Sequence, residues 1–189
     1  KTLALGNLTT GANSGALSVT GESDYSLAIG SVIITGTSKS ASFNPTTANL
    51  SIGSVGNTGA TLSTLNLNGT APSNTVTGAI ADGTAPTAVT KGSSAADTGT
   101  WSLNGNSSYS GTTAINYGTL LINGNNAAAS GAVTVANAAT LGGKGIIGGA
   151  TAVNNGASLA PGNGGPGTLT FNGDLNLASG TSRLLFEAG

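Results

Sequence analysis

The side chains best suited to chemistry in this chain are six acids: Glu22, Asp24, Asp82, Asp97, Asp174 and Glu187. Two carboxylates about 5–10 Å apart can cleave a glycosidic bond, one as acid and the other as base or nucleophile. Only Glu22 and Asp24 are close in sequence, and residues two apart on a strand share a face. The plainer reading makes them two solvated acids beside a turn at Gly21. Histidine and cysteine are absent, which removes Ser-His-Asp and Cys-His centres, thiolate metal sites and disulfides. A Ser-Lys centre stays formally open, but the 5 basic residues are spread over the whole chain. The run "GNGGPGTLT" has the glycines of a calcium-binding β-roll, yet Thr168 and Leu169 stand where its acid is needed. The same glycines lack the Gly-Lys-Ser/Thr ending of a phosphate loop. The expectation is a protein that is not an enzyme, with no catalytic residue, no metal and no cofactor.

Charge points the same way. Only 6% of the 189 residues are charged and the net charge is -1, too little field to draw in nucleic acid or anionic lipid. No run approaches the roughly 18 apolar residues of a membrane helix, so no membrane insertion by this segment is expected. Lys1 opens directly into "KTLALGNLTTG" and the chain stops on "RLLFEAG", so it reads as a piece of something longer.

The elements that must carry these residues are strands. "SLAIGSVIITG", "STLNLNG", "GTLLING" and "GTLTFNGDLNL" alternate apolar with small polar residues and break at Gly or Asn. No window has the i, i+3, i+4, i+7 spacing of an amphipathic helix. Asn-Gly pairs at 68–69, 104–105, 123–124, 155–156 and 172–173 are spaced 36, 19, 32 and 17 residues apart. Those spacings suit one or two units of roughly 16 to 19 residues, the size of one coil of a parallel β-solenoid. A stack of about ten coils, spaced by about 4.8 Å, would form a rod roughly 50 Å long. The fold class expected is all-β, a β-solenoid with a thin aliphatic interior, Gly and Asn corners and a Ser/Thr/Asn exterior. Thr-x-Thr motifs start at 35, 75, 98 and 168, too ragged for one ice-binding plane.

The only Trp and two of the three Tyr gather in "TGTWSLNGNSSYSGTTAINYGTLLING". That stretch resembles the autotransporter-associated β-strand repeat of bacterial autotransporter passenger domains. The positions that carry the likeness are Gly99, Thr100, Trp101, Leu103 and Gly105, then Asn106, Tyr109, Gly111 and Thr113, then Gly118, Thr119 and Leu120. The flanking segments look similar from about residue 62 onward, including the Ala160–Leu169 turn. Residues 1–61 keep the strand rhythm without the signature, so two parts are expected. Segment 1–61 would hold less regular coils, as a cap or interaction segment, and 62–189 the repeat-like β-helix. "TKGSSAADTGTW" is longer than the usual glycine-rich link and should form a loop.

The resemblance implies a right-handed parallel β-helix, secreted to or displayed on a bacterial cell surface. On that reading Trp101, Tyr109 and Tyr117 are architectural, the sharper alternative being a platform for sugar rings. The function expected is a stalk or self-assembling fibre subunit that associates with itself, head to tail or laterally. The alternative is an adhesin module binding surface glycans through a solvent face. An array of aromatic and Asn side chains on one face would favour the adhesin, and a uniformly small-residue surface the stalk.

Overall fold

The computed structural model describes residues 1–11, 15–22, 24–37, 40–162 and 164–186. The described chain contains strands and bends and no helix. It winds as a parallel β-solenoid whose strands stack into three sheets. The first sheet stacks, in order, Thr2–Thr10, Ser26–Ile34, Asn49–Asn57, Asn74–Val76, Thr100–Leu103, Thr119–Ile122, Thr140–Gly143, Ser158–Pro161 and Arg183–Leu184. The second stacks Ala16–Val19, Ser40–Pro45, Ser63–Leu67, Thr87–Lys91, Thr113–Ile115, Val133–Val135, Thr151–Val153 and Leu175–Leu177. A third, of Asn125–Asn126, Ile146–Ile147 and Thr170–Phe171, is confined to the later coils.

Period-two writing decides which side chains face inward. Ser40–Pro45 and Thr100–Leu103 alternate half-buried with buried positions along their whole length. Stacking in register turns those inward positions into ladders. In the first sheet one ladder climbs Leu3, Leu27 and Leu50, passes Asn74, and continues through Trp101, Leu120, Leu141, Leu159 and Leu184. In the second sheet another climbs Leu17, Phe43, Leu67, Lys91, Ile115, Val135, Val153 and Leu177. Together these rows form one continuous core from Val19 to Leu169. Outward rows are small and uncharged: Ser42, Asn66, Thr90, Ala114, Thr134, Ala152 and Asn176 stand above one another on the second sheet.

The stack makes about seven turns, not ten, which at about 4.8 Å per turn gives a rod of about 35 Å. The reason lies at the corners. Register steps run from 18 residues (Thr140 to Ser158) to 27 (Asn74 to Trp101), longer on average than the Asn-Gly spacing suggests. Of the Asn-Gly pairs, only 104–105 and 123–124 follow strands of the same sheet in successive turns, with Asn123 Nδ2 donating to Asn104 Oδ1 at 3.0 Å. Asn68-Gly69 ends a strand of the second sheet, and Asn172-Gly173 follows one of the third. Pairs on different corners cannot measure one coil.

Candidate functional site

The large side chains meet where both ladders turn polar. Trp101 is fully buried, stacked between Asn74 on one rung and Leu120 on the next. Asn74 is the polar residue in a leucine row, directly below the indole. Its Oδ1 accepts from Leu50 N at 2.9 Å, and its Nδ2 donates to Ala71 O and Thr100 O at 2.8 and 3.1 Å. The indole Nε1 donates to Asn68 O at 2.9 Å, so the ring leaves no buried donor unmet. Leu103 and Leu120 are buried beside it. Tyr109 is buried one corner further on, with its hydroxyl 2.8 Å from Thr113 Oγ1. Burial pushes its phenol above the ordinary value, and the Thr113 contact offsets that only in part. Tyr117 is half-buried.

Gly105 and Gly118 occupy positions that a side chain cannot share. A Cβ on Gly105 would run into the Gly78 carbonyl of the preceding turn, and Gly118 has φ of +69°. Gly99 and Gly111 lie buried in the same layer of close backbone approach.

The second polar ladder position is Lys91, which has no exposed surface at all. Its Nζ donates to Asp97 O at 2.8 Å and to Tyr117 O at 3.0 Å, joining the link 92–99 to the next turn. Burial lowers its pKa to about 8, against which the charge of Asp97 pulls upward. The Asp97 carboxylate binds on the other side. Oδ1 accepts from Gly69 N at 2.7 Å, and Oδ2 accepts from Ser93 N and Ser94 N at 2.8 and 2.9 Å, and from both serine hydroxyls. Burial alone would raise the Asp97 pKa, but the amides of Gly69, Ser93 and Ser94 and the Ser93 hydroxyl outweigh it and hold it below the ordinary value. The long link is therefore a loop, as its sequence suggests, but one pinned at its middle by a buried acid.

The other acids are dispersed. Asp82 caps a bend, accepting from Thr87 N at 2.7 Å and from Ser110 N and Oγ at 2.9 and 2.6 Å. Glu22 is exposed at the rim of a depression at the first rung, lined by Leu3, Val19, Tyr25, Leu27 and Ala48. Asp24 and Asp174 are exposed as well, and Glu187 lies outside the described residues. No three potential metal-ligating side chains gather among the described residues. Reading by residue type passed over Lys91 and Asn74. The signal was available: alternation in "TAVTK", with Thr87 and Val89 inward, places Lys91 inward too.

No family model matches the chain, and no curated protein or solved structure matches it either. The joint at Trp101 is held by packing and by satisfied hydrogen bonds.

Proposed function

We propose that the chain is a rigid, non-enzymatic scaffold segment of the autotransporter-passenger kind, displayed at or secreted from a bacterial surface. The observation that carries this reading is the placement of the large side chains. Trp101, Tyr109 and Phe43 lie inside the coil, while the outward row of the second sheet is Ser, Asn, Thr and Ala. That row offers no aromatic plane for a sugar ring, and the exposed Tyr25 and Phe186 stand at opposite ends of the rod, not in an array on one face, which weighs against the adhesin reading. Outward polar groups bond to one another between rungs, as Asn66 Nδ2 does to Ser42 Oγ at 2.9 Å and Thr75 Oγ1 to Ser51 Oγ at 3.2 Å. Load along such a rod is shared by the parallel backbone ladders and by the continuous core.

Self-association would use the two ends. Leu3, Leu5 and Tyr25 are exposed at one, and Leu175, Leu177, Leu184, Leu185 and Phe186 at the other, beside strand edges that can take a further strand. The test is small-angle X-ray scattering of the full chain at rising concentration, run beside a glycan array. The expected outcome is particles that lengthen at constant cross-section and no saturable glycan binding. Particles of constant length would overturn head-to-tail stacking, and saturable glycan binding would make the protein an adhesin.

A further inference from the structure

The Asn-Gly pairs are also reactive sites, and the fold treats them unequally. An asparagine followed by glycine can deamidate without an enzyme. The glycine amide nitrogen attacks the side-chain carbonyl carbon, the new C–N bond closes a succinimide, and the Cγ–Nδ2 bond breaks to release ammonia. Water then opens the ring at either carbonyl, leaving aspartate or isoaspartate. The reaction needs a carboxamide free to rotate and a glycine N–H free to attack, so a hydrogen bond on either group slows it.

Four of the five described pairs have such a bond. At 68–69 the Gly69 N–H is held by Asp97 Oδ1 at 2.7 Å, and at 123–124 the Gly124 N–H by Leu103 O at 3.0 Å. At 104–105 the Asn104 carboxamide accepts from Asn123 Nδ2 at 3.0 Å, and at 155–156 Asn155 Oδ1 accepts from Thr181 N at 2.7 Å. Asn172 is exposed, and among the described residues neither its carboxamide nor the Gly173 N–H has a hydrogen-bond partner. A sixth pair, 163–164, includes Asn163, which lies outside the described residues.

We propose that Asn172-Gly173 is a self-modification site, where spontaneous deamidation loosens the last strand of the second sheet. Gly173 packs so closely on the Gly149–Ala150 backbone that a Cβ there would come within 2.7 Å of Ala150 N. Directly after it, Asp174 O accepts from Thr151 N at 2.7 Å and Leu175 pairs with Thr151. Isoaspartate lengthens the main chain by one carbon at that contact and sets a new carboxylate two residues from Asp174. Both changes push Leu175–Leu177 off Thr151–Val153.

The experiment incubates the full chain at mildly alkaline pH, folded and in urea. Peptide mapping by mass spectrometry then follows conversion at each Asn, and hydrogen exchange follows Leu175–Leu177. In the folded chain Asn172 should outpace the four other described sites by about fivefold or more, the retardation that one net hydrogen bond imposes. In urea the five should converge. Asn172→Gln should remove the early product and keep Leu175–Leu177 protected throughout. Conversion of Asn104 or Asn155 as fast as Asn172, or an Asn172 that persists when folded but converts in urea, would overturn the site. Conversion of Asn172 with unchanged exchange at Leu175–Leu177 would overturn the loosening.

Discussion

The rungs before the Trp101 joint and those after it solve one packing problem with different strands. Before it, Thr2–Thr10, Ser26–Ile34 and Asn49–Asn57 are nine residues each and pair over eight positions. After it, the first sheet is built from strands of four residues and a last one of two, the second from strands of three, and a third sheet takes over part of the circumference. The register step is 24 residues from Ser51 to Thr75, 27 from Asn74 to Trp101, and 19 from Thr100 to Thr119. The cross-section changes at the joint, and there both apolar ladders admit a polar residue, Asn74 in one and Lys91 in the other. Buried polar groups are costly unless each partner is met, so a slip by one rung would strand them. The joint therefore fixes register between two kinds of coil.

The largest effect should come from removing the indole. Trp101→Ala leaves a cavity and an unmet Asn68 carbonyl, and should cost about 3–5 kcal/mol in denaturant unfolding. Phe43→Ala, in the long-strand rungs, should cost a similar amount. The two differ in pattern. Hydrogen exchange in the Trp101 variant should show the short-strand rungs opening separately from the long-strand ones, because nearest-neighbour coupling is cut at the joint. Identical exchange patterns in both variants would mean that the joint has no special place in the rod.

Next comes the pin of the long link. Asp97→Ala strands the amides of Gly69, Ser93 and Ser94 and removes the charge beside Lys91, at a cost of about 3 kcal/mol. A cost under about 1 kcal/mol would show that the link anchors itself without the acid.

Lys91→Met keeps the stem and drops the two bonds to Asp97 O and Tyr117 O, for about 1–3 kcal/mol. It should also change the pH profile. The folded chain gives up the Lys91 proton near pH 8, while the unfolded chain holds it to the ordinary 10.5. Between those values the unfolded state binds more protons, so the stability of the native chain should rise with pH. Tyr109 works the other way above its ordinary 10.0, since the unfolded chain there loses a proton that the folded one keeps. Melting temperature against pH should therefore climb from about 8 and turn over above 10 in the native chain. In the Lys91 variant the climb should vanish. A climb that survives would assign it to another group.

Much of this was legible in the sequence, through parity. Strand runs such as "STLNLNG" give both the sheets and their inward faces, because a two-residue period admits only one buried set. Turn residues were a poorer guide, since Asn-Gly marks a sharp bend without saying which corner it belongs to. That is why ten coils were expected and about seven are present. The aromatic stretch marked the joint, but its polar half stayed hidden. Asn74 and Lys91 are ordinary surface residue types, and only the stacking of Leu67, Lys91 and Ile115 makes the lysine's place in the core plain. Asp97 takes its partners from Ser93 and Ser94 beside it and from Gly69 a full turn earlier, none of them an acid, so a search for paired carboxylates does not reach it.

The smallest effects should lie on the outward rows, where the two kinds of coil can still be told apart. Asn66→Ala removes the bond to Ser42 in the long-strand region and should cost about 0.5 kcal/mol. Asn123→Ala removes the matching bond to Asn104 in the short-strand region, but Asn123 Oδ1 is buried without a partner among the described residues. Losing that unmet acceptor offsets the lost bond, so Asn123→Ala should be neutral within about 0.3 kcal/mol or slightly stabilising. Paired chemical-denaturation curves with a common m-value resolve a gap of that size when the midpoints are measured together. If Asn123→Ala costs more than Asn66→Ala, the short-strand rungs depend on their exterior amides as the long-strand rungs do not. The rod would then be held by its surface on one side of Trp101 and by its core on the other.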